Sequence, residues 1–294
     1  MAERVWVVRE GDGATVDAIV ARAGGDATAL DEGRVFVGRS RARRGDGVNV
    51  GDTVRIAERR AVAATVTVLH DDAGLVAVDK PAGIPTIPDS HDAEGSLLVR
   101  VARAIGVEPD ALHATSRLDR GVSGVVVFAK TARAREELQD ARSSGRYFRL
   151  YAAIAARAPS PPEGEWTARI GRARDARKRA VDGRDATDAR TRYRTIASAA
   201  AALLAVEPVT GRTHQIRVHA SHAGAPLLGD RDYGGPRSLT LSSGKVLALD
   251  RVALHCAHVR VEGRLDVHAP IPETLRAWWT ALGGPDTWSV FASG

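Results

Sequence analysis

Apolar and polar positions follow two different rhythms along this chain. Over residues 1–60 the apolar runs are short and broken by glycine. Residues 5–8, RVFVGRS and GDTVRIA read as strands, and 16–23 carries helical spacing. That pattern predicts a small α/β module. Over residues 61–294 the runs lengthen: TVTVLH, LVAVDKP, GVVVFAK, YAAIAA, EWTARIG, DARTRYRTI, LLAVEP and LHCAHVRV read as strands. Helices are predicted at 95–105, in TARAREELQDARSS, after the turn GRTH, and in ETLRAWWTAL. In the second of these, Ala134, Leu138 and Ala141 share one face, while Arg133, Glu136, Glu137 and Asp140 supply the polar one. Strands dominate without regular alternation with helices, so the expected class is α+β with a mixed sheet.

Composition adds a sign of charge. Forty-two Lys and Arg face 36 Asp and Glu, a formal net charge of +6, which favours a polyanionic partner. The excess is concentrated in residues 169–194, where nine Arg and one Lys stand against four Asp; this stretch is read as a hairpin with a basic tip. A smaller cluster, Arg39, Arg41, Arg43 and Arg44, lies between two predicted strands of the first module. The single cysteine, Cys256, excludes an internal disulfide and a cysteine zinc cluster and is read as a small core residue. The chain shows no signal-peptide pattern and no apolar run approaching about 18 residues, so a cytoplasmic location is expected.

Three segments place polar groups where a core element should end. In LVAVDKPAGIPTIP an apolar strand runs into Lys80 and a Gly/Pro loop. In SRLDRGVSGVVVFAK, Arg117, Asp119 and Arg120 sit in a turn before an apolar strand, and a carboxylate flanked by guanidiniums stays charged. A structural ion pair would account for that segment taken alone. In VEPVTGRTHQIRVHASHAGAPLLGDRDYGG, Thr213 is expected to cap the following helix, and His214 and Arg217, spaced i and i+3, to share a face. His214, His219 and His222 lack the i, i+4 pair with Glu of helical zinc sites, so no metal is expected.

DKPAG, RLDRGVSG and GRTHQIRVH, in that order and followed by GDRDYGG, resemble the RluA-type pseudouridine synthases. The resemblance covers roughly residues 64–280, with LHCAHVRV and APIP also similar to family elements. It implies a mixed, largely antiparallel central sheet with flanking helices and loops. It also implies isomerisation of uridine within ribosomal or transfer RNA, with no cofactor and no metal. On the matching positions it implies Asp119 as catalytic carboxylate, Arg217 as its partner, and Tyr151 as the active-site tyrosine, with Tyr147 as the alternative register. Lys80, Arg117, Arg120, Arg212, His214 and Gln215 become the expected substrate or RNA contacts, and the chain is expected to be a monomer. Ser116 stands where the family turn usually has histidine, and Val122 where threonine is commoner. Residues 1–60 resemble, more weakly, a small ribosomal-protein-type RNA-binding module whose second helix is shortened to GGDATALDEG. Two rivals stand beside this reading. One is an RNA-binding or ribosome-assembly protein that has lost turnover; the other is a glycoside or nucleoside hydrolase, which would pair two carboxylates where RLDRG offers one.

Overall fold

The computed structural model describes residues 4–23, 28–31, 34–38, 40–56, 66–89, 95–241 and 243–292. The chain divides into two compact units, residues 1–64 and 65–294. This boundary and the one expected after residue 60 both fall in the stretch 57–65, outside the described residues.

The first unit contains β1 (Arg4–Val7), α1 (Val16–Arg22), α2 (Thr28–Asp31), β2 (Val35–Val37), β3 (Ser40–Arg41) and β4 (Thr53–Ile56). Its sheet has the order β1-β4-β2-β3, all antiparallel. Val16, Ile19 and Val20 on one side of α1 pack with Val35, Val54 and Ile56, the helical and period-two patterns meeting in one small core. Of the basic cluster, Arg44 lies 3.4 Å from Asp17 and Arg41 sits over the Phe36 ring at 5.9 Å; Arg39 falls outside the described residues.

The second unit runs β5 (Thr67–Asp71), β6 (Leu75–Lys80), α3 (Leu97–Ile105), β7 (His113–Ala114), β8 (Ser123–Ala129), α4 (Ala132–Ser143), β9 (Tyr147–Ala155), β10 (Glu163–Trp166), β11 (Ile170–Arg172), β12 (Arg179–Val181), β13 (Arg184–Thr187), β14 (Thr191–Ser198) and β15 (Ala202–Pro208). It continues with α5 (Gln215–His222), β16 (Ser238–Thr240), β17 (Val246–Ala248), β18 (Leu254–Val261), β19 (Leu265–His268) and α6 (Glu273–Ala281). The main sheet has the order β10-β14-β15-β9-β18-β8-β6-β5, with β19 added to β18 and β7 to β8. Among the described residues only β8 and β18 pair in parallel within it, so the sheet is mixed and largely antiparallel.

Period-two alternation sorts β9 between two cores. Tyr151, Ala153 and Ala155 join the cluster that receives Leu97, Val101 and Ala102 of α3 and Ala134, Leu138 and Ala141 of α4. Ala152 and Ile154 join the cluster built around Leu275, Trp278 and Trp279 of α6. Covered on both sides, β8 is buried along its whole length, which is why its sequence is continuously apolar after Gly124. At Gly124 itself (φ +112°) an added Cβ would stand 2.1 Å from the carbonyl oxygen of Cys256 on β18. The parallel pairing of these strands therefore requires glycine there.

Two local expectations need correction. EWTARIG is not one strand: it breaks after Trp166, and His219 Nε2 bonds the Ala168 carbonyl at 2.8 Å where the chain leaves for a second sheet. The basic stretch is not a two-stranded hairpin either. β11 lies between β12 and β13 in a three-stranded sheet, and residues 191–194 belong to β14 of the main sheet.

Candidate active site

A cleft of about 580 Å³ opens in the second unit, lined by segments 85–89, 114–122 and 208–217 together with Arg142, Arg149, Tyr151 and Leu254. Asp119 lies on the turn between β7 and β8, its side chain 26% exposed. Among the described residues, Asp89 and Asp119 are the acidic residues lining the cleft, and Asp89 is held by Arg120 at 2.8 Å.

The turn carrying Asp119 hangs from side chains of other elements. Lys80, at the end of β6 and fully buried, donates from Nζ to the carbonyl oxygens of Val122 (2.6 Å), Pro81 (3.0 Å), Asp119 (3.3 Å) and Arg120 (3.4 Å). Thr86 Oγ1 donates to the Leu118 carbonyl at 2.8 Å and accepts from the Leu118 amide at 3.1 Å. Arg142 Nη1, from α4, donates to the Thr115 carbonyl. Burial, aided by the nearby charge of Arg251, pushes the Lys80 amine down to about 7. Lys80 was expected to touch RNA; with its ammonium closed inside the fold, it positions the turn instead.

Asp119 is held by a residue 98 positions away in sequence, not by its neighbours. Arg217 Nη1 donates to Asp119 Oδ2 at 2.9 Å. The same guanidinium grips Asp230 with Nε and Nη2, each at 2.8 Å, and reaches Asp232 Oδ2 at 3.0 Å. Burial works against the Arg217 charge, but the bonds to Asp230 and the charges of Asp230 and Asp119 prevail and raise its pKa. Arg120 is turned to Asp89, and Arg117 is exposed at the cleft wall with no partner among the described residues. The direct hydrogen bond to Asp119 comes instead from Arg217, the partner the resemblance implied.

Thr213 does not cap α5. The cap residue is His214, in a left-handed conformation (φ 58°, ψ 17°) that directs its imidazole back toward the cleft. Its Nε2 stands 3.8 Å from Asp119 Oδ1 and its Nδ1 is 2.6 Å from the Tyr233 hydroxyl. Gln215, expected to contact RNA, is buried and fully engaged. Its Oε1 accepts from Thr210 Oγ1 and the Arg212 amide, and its Nε2 donates to the Arg190 carbonyl and Thr191 Oγ1, locking the turn 210–214. Arg212 lines the cleft and is exposed, its Nε bonded to the Asp188 carbonyl.

Of the two candidate tyrosines, Tyr151 lines the cleft, while Tyr147 is absent from its wall and lies between Arg142 and Arg149, 4.5 and 5.8 Å from its ring. Burial raises the Tyr151 hydroxyl well above its ordinary range, so the proton stays on oxygen. Arg149, two residues before it, ties β9 to the cleft floor through the carbonyls of Pro208 and Thr210, both at 2.9 Å. Sequence reasoning assigned no role to Arg149, Asp230, Asp232 or Tyr233, although the last three stand together in GDRDYGG.

Among the described residues, His258, Asp266 and His268 group closely enough to hold a cation. His268 Nδ1 bonds the Phe291 carbonyl, as a metal-bound imidazole would, but His258 Nδ1 is buried with no acceptor for the proton that metal on Nε2 would place there. Its 2.7 Å bond from Nε2 to Asp266 is the arrangement this geometry satisfies.

A mixed sheet carrying a substrate-sized cleft, with a carboxylate on a strand-entry turn clamped by a buried arginine, defines an enzyme site. The family model for RNA pseudouridylate synthase matches residues 74–222. The chain is 34% identical over 284 residues to ribosomal large subunit pseudouridine synthase D of Xanthomonas campestris, covering 86% of this chain and 82% of that one. It is 32% identical over 188 residues to the dual-specificity RNA pseudouridine synthase RluA of Salmonella typhimurium, covering 60% and 81% respectively. Among solved structures, human RNA pseudouridylate synthase domain containing 4 superposes with a TM-score of 0.58 at 25% identity, over 74% of this chain and 93% of that one. The chain belongs to the RNA pseudouridylate synthase family, in its RluA-type branch, and is an RNA-modifying isomerase.

Proposed function

We propose that this enzyme isomerises specific uridines of ribosomal or transfer RNA in the cytoplasm, with Asp119 as the catalytic carboxylate. The observation that carries this reading is the Arg217–Asp119 contact of 2.9 Å at the wall of the cleft, which keeps the carboxylate aimed at space a nucleoside can fill. The target uridine must first leave its stack, at a cost of a few kcal/mol, roughly what phosphate contacts and stacking can offset. Arg117, exposed at the cleft wall, suits the flipped nucleotide or the place it vacates.

Asp119 then attacks the anomeric carbon or draws the proton from C2′; either route breaks the bond from N1 to C1′. The uracil turns and its C5 bonds to C1′, displacing the Asp119 carboxylate in the first route or accompanied by return of the proton from Asp119 to C2′ in the second. The proton lost from C5 is matched by one gained at N1, so the isomerisation balances without cofactor. Tyr151 supplies a stacking face to the detached uracil and keeps its own proton, which disfavours a role as base at C5. A carboxylate held in this way favours the enzyme over a binding protein without turnover.

The test is a pseudouridine map of total RNA from cells lacking the protein, complemented with the unaltered chain or with Asp119→Ala. Loss of modification at one or a few uridines, restored only by the unaltered chain, is the expected result. Full modification in the absence of the protein would overturn the reading.

A further inference from the structure

His214 is one of three non-glycine residues with positive φ among the described residues, and the only one of them in the cleft wall. A left-handed conformation is strained for a residue with a side chain, and such outliers point to what they position. The hydrogen-bond network favours one tautomer. The Tyr233 hydroxyl oxygen accepts the Arg179 amide at 2.9 Å, so its single proton is directed to the acceptor beside it, His214 Nδ1, at 2.6 Å. The neutral ring consequently carries its hydrogen on Nε2. Burial pushes the His214 pKa down despite the charge of Asp119, which favours that neutral form.

Nε2 faces Asp119 Oδ1, but at 3.8 Å it is too far to bond it. A donor is thus held beside the carboxylate and not used by it. We propose that His214 donates this hydrogen bond to the 2′-hydroxyl oxygen of the target ribose, an inference that rests on Asp119 acting at the sugar of a flipped uridine. Asp119 must come within reach of C1′ or C2′, and the 2′-oxygen is bonded to C2′, so a donor flanking the carboxylate meets that oxygen in either route. The ring oxygen is a poor acceptor while positive charge develops on the sugar, and the uracil carbonyls leave with the base. Tyr233 acts as the positioning residue that fixes the tautomer. His214 becomes the group that distinguishes ribose from deoxyribose at the target.

The experiment uses an RNA oligonucleotide spanning a mapped target uridine, made with uridine, 2′-deoxyuridine or 2-thiouridine at that position. The full chain is compared with His214→Phe and His214→Gln, with thermal melts as a check on folding. Removing the hydroxyl changes the intrinsic reactivity of the sugar, but that change is common to all proteins and cancels in the comparison. The unaltered chain is expected to lose kcat/KM on the deoxy substrate by roughly tenfold more than His214→Phe does. His214→Gln, which keeps a donor, should regain part of that discrimination. If His214→Phe does not fold, His214→Gln and Tyr233→Phe carry the same comparison. Equal discrimination in every protein, or loss of discrimination at 2-thiouridine instead, overturns the proposal while the functional reading stands. Failure of the unaltered chain to isomerise the all-ribose RNA overturns both.

Discussion

Arg217 holds Asp119 with one N–H at 2.9 Å but grips Asp230 with two at 2.8 Å, so cutting the Asp119 contact from its two ends has unequal consequences. Asp119→Asn leaves the wholly buried Asp230 paired, and its unfolding free energy should stay within about 1 kcal/mol of the unaltered chain while isomerisation is abolished. Arg217→Met strands a buried carboxylate and should cost roughly 3 kcal/mol of stability as well as activity. Urea unfolding of the two variants beside single-turnover assays checks both; equal destabilisation would show that the clamp is anchored at Asp119 instead.

Lys80 should behave as a brace. Lys80→Met leaves the carbonyls of Pro81, Asp119, Arg120 and Val122 without their common donor. A buried acceptor left unsatisfied costs about 1–3 kcal/mol, so the turn should loosen before the sheet does. Hydrogen exchange at residues 118–122 should accelerate, and kcat should fall while the salt dependence of RNA binding is unchanged. A shallower salt slope would instead return Lys80 to the RNA surface.

The strands, the α+β class and the position of Asp119 were legible in the sequence because each rests on local signals: period two, period 3.6, and a charged turn before an apolar run. The partnering of charges was legible only through the motif: the resemblance implied Arg217 on α5 as the partner of Asp119, whereas local reading pointed to Arg117 and Arg120, which adjoin it, and Arg120 turns to Asp89. The further grip of Arg217 on Asp230 and Asp232 was not legible, since it rests on side chains brought together by the fold. Lys80 and Gln215 look like ligand contacts because they are polar and close a recognisable motif. Tertiary packing buries both and spends their hydrogen bonds on backbone carbonyls and turn groups. The break in EWTARIG was equally hidden, since it depends on His219 meeting Ala168 from 51 residues away.

Tyr151 should tolerate loss of its hydroxyl better than loss of its ring. Because burial keeps the phenol protonated, Tyr151→Phe is expected to retain activity within about tenfold and to leave the alkaline limb of the pH–rate profile in place. Tyr151→Leu removes the stacking face and should lower kcat by roughly 100-fold, more than stacking alone contributes to binding in weaker contexts. A profile whose alkaline limb disappears in Tyr151→Phe would assign the phenol to proton transfer after all.

Acid sensitivity should trace in large part to His255, which sits in a chain that admits only its neutral form. Arg251 Nη2 donates to Ser123 Oγ at 2.8 Å, so the Ser123 proton goes to His255 Nδ1, also 2.8 Å away. His255 Nε2 then faces the Ala269 carbonyl at 3.4 Å. Burial, with the positive charge of Arg251 behind it, pushes this imidazole down to about 4. The unfolded chain takes up the proton near its ordinary pKa of about 6.5, above the folded value, so the stability present above that pH is lost as pH falls toward 4. Between pH 7 and 5 this single group should remove about 2 kcal/mol from the unfolding free energy. His255→Gln keeps an acceptor for Ser123 and a donor for Ala269 but cannot titrate. Its unfolding free energy should therefore decline less over the same interval, by about that amount, in urea titrations at the two pH values. An unchanged decline would move the acid-sensitive group to His214, His219 or His258, whose pKa values burial also lowers.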